Sequence, residues 1–326
     1  VDFPQRDGFS EISIVGKLWG LLFGVTMLGC LGLFLAAPLI PGWWLQEGVS
    51  SHYWSIDFLY YTILFIVAFF FILTEVLLVC FMVRYARQDD GKPPQPKPSK
   101  VGELLKPLSG LEPHKIELAW TIVPAAILLF IAFAQVGIWA DIKYQSKFPD
   151  FVKDKVAVVA EVSARQWEWR MRYPSHKRMK AFLSTTNKNM STEDKKDYDT
   201  FGKAPQFDDV YAIPNELHAI KDHPSLVHLN TRDVIHSFNM PQLRIKQDAL
   251  PGKVIPVWFI PTKSNTKFDE KTERCETKPK WEIACAELCG IMHDRMIGQL
   301  YVHETQEDFL KWLEHLDKAQ HSHSSK

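Results

Sequence analysis

The sequence predicts a membrane-anchored α plus all-β protein: three helical membrane segments, then an antiparallel β-sandwich in water. Apolar runs occupy residues 18–40, 58–83 and 118–140, each long enough for the ~20 helical residues that cross a bilayer. Beyond residue 140, short valine-rich or aromatic runs alternate with proline, asparagine and glycine, which implies several strands with no helix between them. Composition hides this division, because 38 Lys and Arg balance 38 Asp and Glu over 326 residues, as in a soluble chain of about two domains. We expect an N-terminal segment with the first span at 1–44, a helical hairpin with its loop at 45–140, and an outer domain at 141–326. No nucleic-acid partner is expected.

Basic residues orient the spans. Arg84, Arg87, Lys92, Lys97, Lys100, Lys106 and Lys115 follow the second run, whereas residues 41–57 hold no Lys or Arg. Positive charge stays on the cytoplasmic side, so that loop and the N-terminus with Arg6 and Lys17 lie inside and the large domain lies outside. Trp43, Trp44, Tyr53 and Trp54 suit an aromatic belt at the outer interface. The first run is long for a signal-peptide core and is read as a retained helix. Met27-Leu-Gly-Cys30 only weakly resembles a lipoprotein cleavage site. Glu75 interrupts the second run, where a carboxyl group costs several kcal/mol unless protonated or paired. It is expected to face protein, as a hydrogen-bonding or a proton-transfer group. Cys30 and Cys80 read as buried small hydrophobes.

In the outer domain, residues 155–173 are rich in valine and aromatics and read as one or two strands. Further strands are expected at 225–229, 254–260 and 299–303. Two lysine-rich stretches, 175–206 and 263–280, read as surface insertions or as clasps for another subunit. Thr305-Gln-Glu-Asp308 is a helix-start box, and Phe309, Trp312, Leu313 and Leu316 repeat at helical spacing. A short amphipathic helix is therefore expected to close the domain, and His321 and His323 to lie in a disordered tail.

The chemistry concentrates in Cys285-Ala-Glu-Leu-Cys-Gly-Ile-Met-His-Asp-Arg-Met296, which puts two cysteines, a histidine and a methionine on one loop. A Cys-x3-Cys-x3-His cluster by itself also suits zinc. The thioether argues for copper, and an upstream histidine before a Cys, His, Met loop is the ligand order of copper electron-transfer sites. His236 is the candidate, in Asp233-Val-Ile-His-Ser-Phe-Asn-Met-Pro-Gln-Leu-Arg-Ile-Lys-Gln-Asp-Ala-Leu-Pro-Gly252. Two thiolates can bridge two coppers. Met292 reads as packing and Cys275 as a free or structural thiol, so five cysteines reduce to two that carry chemistry.

These two segments resemble the dinuclear CuA domain of subunit II of the haem-copper cytochrome c oxidases, a resemblance that covers residues 56–318 apart from the two lysine-rich stretches. It implies a cupredoxin Greek-key sandwich in which Cys285 and Cys289 bridge both coppers. It further implies that His236 and Met296 complete one copper, and His293 with the Glu287 backbone carbonyl the other. The Glu287 side chain would help bind magnesium or manganese at the border with subunit I. Gln166-Trp-Glu-Trp169 is similar to the family's aromatic segment, with Trp167 where electrons arrive from cytochrome c. Glu168, Arg170 and Arg172 depart from the residues common there. His114-Lys-Ile-Glu-Leu-Ala-Trp-Thr-Ile-Val-Pro124 is similar to the start of the second hairpin helix, with Glu117 at the entrance of a proton pathway. The first span is a departure, since the family core is a two-helix hairpin.

The resemblance implies a subunit that accepts electrons from cytochrome c and passes them to haem in subunit I, where oxygen is reduced and protons are pumped. This chain alone is not expected to reduce oxygen. From residue 141 onward, 29 Lys or Arg face 27 Asp or Glu, so an acidic docking face is not evident in the total. The donor is then a soluble cytochrome c met through local patches, or a cytochrome that is acidic, membrane-bound or held in a supercomplex. No Cys-x-x-Cys-His follows the domain, so a fused donor haem is not expected. A quinol-oxidase subunit is set aside because every copper ligand is present. The alternatives are a CuA subunit of a nitric-oxide or nitrous-oxide reductase and a non-enzymatic membrane copper protein. The former is not expected to carry Trp-Thr-Ile-Val-Pro124, and the latter does not require Trp167 or Glu117. The extra span and the insertions favour a bacterial plasma membrane over a mitochondrial inner membrane.

Overall fold

The computed structural model describes residues 9–84, 113–148, 157–184, 191–201 and 204–321. The chain forms two compact units, one of Val1–Leu45 and Phe58–Gln135, the other of Gln46–Asp57 and Val136–Lys326. The first unit is built on three helices, α1 (Phe9–Ala36), α2 (Tyr53–Arg84) and α3 (Pro113–Lys143). Their segments Leu18–Leu39, Tyr53–Val79 and His114–Lys143 are long and apolar enough to cross a membrane, as expected for each run. Leu28, Phe65, Leu128 and Phe133 all stand exposed. A helix in water hides one apolar stripe, whereas these expose apolar side chains on every side, which suits lipid as solvent. α3 keeps Pro124 inside it, a residue tolerated in membrane helices because neighbouring groups re-satisfy the freed carbonyl.

The polar exceptions within these helices are few. Glu75 is half-buried, and its Oε2 is shielded without a hydrogen-bond partner among the described residues. Glu117 stands exposed near the start of α3. Cys30 is exposed on α1 rather than buried, because a lipid-facing position gives a small apolar side chain the same environment as a core. The indole N–H of Trp44 donates to the Tyr61 hydroxyl at 3.0 Å. Arg6, Arg87, Lys92, Lys97, Lys100 and Lys106 lie outside the described residues, as do the side chains of Lys17, Cys80 and Arg84.

The second unit is a two-sheet sandwich. One sheet runs β3-β2-β1-β5-β8 and is built from β1 (Val158–Arg165), β2 (Glu168–Tyr173), β3 (Val210–Tyr211), β5 (Ser225–Thr231) and β8 (Ile255–Phe259). The other runs β10-β9-β12-β11-β6-β7, with β4 also on β12. Its strands are β4 (Glu216–Ile220), β6 (His236–Met240), β7 (Ile245–Ala249), β9 (Thr266–Asp269), β10 (Arg274–Thr277), β11 (Trp281–Cys285) and β12 (Ile297–His303). The expected antiparallel pattern is only partly met. β1 pairs parallel with β5, and β12 pairs parallel with β4, because these strands are not chain neighbours and meet through crossover connections. Val162, Trp169, Leu217, Phe238, Ile283 and Leu300 from both sheets form one buried core, each contributing ~1.5–3 kcal/mol by leaving water.

The first lysine-rich stretch is more than a surface insertion. It folds as α4 (His176–Ser184) and α5 (Thr192–Phe201), which bury Met179, Phe182, Leu183, Tyr198 and Phe201. Phe182, Tyr198 and Phe201 join Val159, Leu226 and Trp258 in a second core. Few apolar residues suffice because they recur at helical spacing. Arg172 is the centre of this junction rather than a surface charge. It is buried, ion-paired to Glu161 and Asp209, donates to the Phe201 carbonyl at 2.8 Å and lies 4.4 Å over that ring. The second stretch supplies the β9–β10 hairpin, and α6 (Gln306–His321) closes the domain with Phe309, Trp312 and Leu313 buried. Its first turn is capped as expected, the Asp308 N–H donating to Thr305 Oγ1 at 3.2 Å. His321 ends α6, where Nδ1 meets Asp317 at 2.7 Å; His323 lies outside the described residues.

Two predictions follow from burial. R172A leaves Glu161 without its cation and the buried Asp209 with Arg178 alone and should cost ~3 kcal/mol in a denaturant titration. His52 and His228 are half-buried, and the loss of water around their rings lowers their pKa to about 4, against ~6.5 in an unfolded chain. Between these values the unfolded state binds more protons, so stability falls as pH drops from 6.5 towards 4. Melting temperatures across that range should decline, and a flat profile would contradict the burial.

Candidate metal centre

Strand register brings the distant parts of the site together. β11 ends at Cys285, which stands opposite Phe238 of β6, and β6 begins with His236. The Ala286 N–H donates to the Ser237 carbonyl at 3.0 Å, and the Cys285 N–H to the Met296 carbonyl at 3.1 Å. The second bond closes the loop that joins β11 to β12. Within it, Gly290 adopts φ +124°, a conformation that side chains oppose. A Cβ there would also lie 2.9 Å from Gln166 Nε2 and 3.2 Å from the Trp167 ring.

The predicted ligands converge. Cys285 Sγ lies 3.8 Å from Cys289 Sγ, 3.8 Å from His236 Nδ1 and 3.2 Å from the Glu287 carbonyl oxygen. Cys289 Sγ lies 3.5 Å from His293 Nδ1 and 3.9 Å from Met296 Sδ. His236, Cys285, Cys289 and Met296 are buried, while His293 is half-buried and the Glu287 side chain exposed. The sulfurs are far beyond the ~2.05 Å of a disulfide. A first-row metal sits ~2.0–2.3 Å from nitrogen and sulfur donors, which puts neighbouring ligand atoms roughly 3.3–3.8 Å apart. The observed spacings fit that set of edges.

Charge makes the same demand. Burial alone would raise the Cys285 thiol, but His236 and the Ser237 backbone outweigh it and lower its pKa to about 6. Cys289 is pushed the other way, to about 12, by burial and then by the negative charge of Cys285 beside it. Two thiolates at this distance exclude each other in low dielectric unless cations lie between them. The chemistry of the donor set therefore fits metal, and the thioether fits copper.

Groups outside the ligand set orient it. Asp233 Oδ1 lies 2.9 Å from His236 Nε2, so Nε2 carries the proton and Nδ1 turns its lone pair towards Cys285. Burial tends to raise the pKa of Asp233, but backbone N–H groups of Gln166 and Val234, each at 2.7 Å, together with His236, hold it below the usual range. Gln166 and Trp167 form the two-residue turn between β1 and β2. Gln166 Nε2 donates to the Cys289 carbonyl at 2.7 Å, and the half-buried Trp167 lies against Gly290. Trp169 points into the core, 6.2 Å from the His236 ring. Leu288 and Ile291 of the metal loop are 79% and 93% exposed. Met292 is exposed as well rather than packed.

Residues 158–300 match the family description "Cytochrome C oxidase subunit II, periplasmic domain" and residues 38–138 match "Cytochrome C oxidase subunit II, transmembrane domain". The chain belongs to the cytochrome c oxidase subunit II family. An alternative cytochrome c oxidase subunit 2 from Bradyrhizobium diazoefficiens is 31% identical over 159 residues, 48% of this chain and 50% of the relative. Cytochrome c oxidase subunit 2 from Thermostichus vulcanus is 28% identical over 263 residues, 74% of this chain and 69% of the relative. The chain thus spans about half the length of the first of these relatives. A solved periplasmic domain of subunit II from Bradyrhizobium japonicum is 20% identical and covers 51% of this chain and 96% of its own, with a TM-score of 0.35, too low to bear on the fold. The buried His, Cys and Met cluster is of the kind that forms a CuA site.

Within this family frame, the sequence reading missed Asp233, Gln166 and Gly290. Asp233 had a local signal, since it stands three residues before His236 in a loop. Gln166 and Gly290 meet only when the β1–β2 turn packs on the metal loop. D233A frees the His236 ring and should weaken copper binding ~10–100-fold, read by competition with a chromophoric chelator. An unchanged affinity would show that the ring is fixed by packing alone.

Proposed function

We propose that this chain is the electron-accepting subunit of a cytochrome c oxidase, taking electrons from a cytochrome c at a dinuclear copper centre and delivering them to haem in subunit I. The observation that carries this reading is two thiols 3.8 Å apart, ringed by two imidazoles, a thioether and a backbone carbonyl. A copper pair bound there supplies reversible one-electron transfer with little change of geometry. Cys285, Cys289, His236, Met296, His293 and the Glu287 carbonyl would hold that pair. Keeping the cluster buried limits the solvent rearrangement that accompanies a change of charge.

Trp167 receives the electron. Its contact with Gly290 and the Gln166 bond to Cys289 support a short path from that indole to the cluster. Around it, exposed Leu288 and Ile291 offer apolar contact to a docked cytochrome, whether soluble, membrane-bound or held in a supercomplex. The exposed Glu287 carboxylate is free for magnesium or manganese at the border with subunit I, and Glu117 serves the mouth of a proton pathway. The basic residues flanking the second span support a cytoplasmic N-terminus and a periplasmic metal domain in a bacterial plasma membrane. The match of the membrane segment to the family's own description over residues 38–138 favours an oxidase over a reductase.

Copper stoichiometry tests the reading. The copper-loaded chain should hold two coppers sharing one unpaired electron, seen by elemental analysis with electron paramagnetic resonance. C289S should abolish the shared signal and the electron transfer that depends on it. One copper, or zinc in its place, would refute the proposal.

A further inference from the structure

Cys275 belongs to none of this machinery, although it packs against the core. We propose that Cys275, His218 and His303 form a second metal site, for a divalent cation of the zinc class, that clips the β9–β10 hairpin to the sheet. One ring nitrogen of each histidine and the thiol sulfur all lie within 4.8 Å of one another. The three residues come from different elements, β4, β10 and the last position of β12. Met296 immediately precedes β12 and His303 ends it, so the two centres lie roughly 20 Å apart at ~3.3 Å per residue. They share no ligand.

The donors are held in place. His303 Nδ1 lies 2.6 Å from Asp308 Oδ2, and Asp308 also accepts the backbone N–H of Phe268 at 3.1 Å, the residue paired with Cys275. A carboxylate behind an imidazole fixes the tautomer and aims the other nitrogen, as it does for metal-ligating histidines. His303 Nε2 therefore presents a lone pair, 3.0 Å from His218 Nδ1. The His218 ring is clamped between Trp312 at 3.7 Å and 11° and Tyr301 at 4.5 Å and 8°.

One atom is unexplained by a metal-free core. With His218 Nδ1–H donating to His303, His218 Nε2 is left buried with no hydrogen-bond partner, and the Glu216 oxygen 3.8 Å away is too far to serve. A cation on the triad takes both facing lone pairs and moves the His218 proton to Nε2, where the Glu216 carboxylate 3.8 Å away faces the positive end of the metal-bound ring without a hydrogen bond. Buried polar atoms without partners call for such an explanation. Charge favours a divalent ion, because one thiolate and the Asp308 carboxylate then balance it in a buried place. Two imidazoles and one thiolate are a zinc donor set.

The test uses the untagged full-length chain in detergent carrying C285S and C289S, which removes both thiols of the copper cluster. After incubation with Zn2+ and desalting, elemental analysis should find about one zinc per chain, lost when C275A is added. No retained zinc, copper in its place, or zinc that survives C275A would overturn the assignment. A second measurement covers the case in which the cluster variants misfold. In the otherwise unaltered, copper-loaded chain, Zn2+ should slow alkylation of Cys275 about tenfold, followed by mass spectrometry. Labelling at the same rate with and without Zn2+ would equally overturn it.

Discussion

The pairing of β6 with β11 is the constraint on which the metal centre depends. Cys285 opposite Phe238 brings His236 to a thiol 49 residues further along the chain, and the bond from Cys285 to the Met296 carbonyl folds the remaining ligands back over the strand end. A slip of one residue would turn Cys285 to the other face of the sheet and dissolve the cluster. The two buried sheets specify that register, since Phe238 and Ile283 both sit in the common core. Copper chemistry at the rim is thus secured by hydrocarbon packing below it.

Much of this was legible in the sequence, for identifiable reasons. The spans were plain because lipid requires long apolar runs, and the loop from Cys285 to Met296 because its ligands are local. α6 announced itself by a capping residue and a helical period. What stayed hidden depends on chain crossings. The parallel pairings of β1 with β5 and β4 with β12 leave no local mark. Nor does the burial of Arg172, which in the sequence stood only as a departure from the family's aromatic segment and which Asp209 and Phe201 close over. α4 and α5 were masked by their lysines, because five buried side chains are enough to dock two short helices.

The two lysine-rich stretches turn out to have different structural roles. The first widens the domain by adding a small core to the outer face of the five-stranded sheet. The second extends the other sheet by a hairpin anchored by Phe268 and Cys275 on the main core and by Asp308 with the buried histidines beside it. A hairpin of four-residue strands buries little area by itself, so its position rests on these few contacts. Both stretches thus add to the sheets away from the β6–β11 pairing.

The contact between Trp167 and Gly290 separates two kinds of damage. One added methyl group on the metal loop would push the indole and Gln166 away while leaving every copper ligand chemically intact. Such a chain would keep all the donor atoms of its cluster and yet, on the proposed role of Trp167, be poorly wired to its electron donor. Loading and wiring are thus exposed to mutation at separate positions.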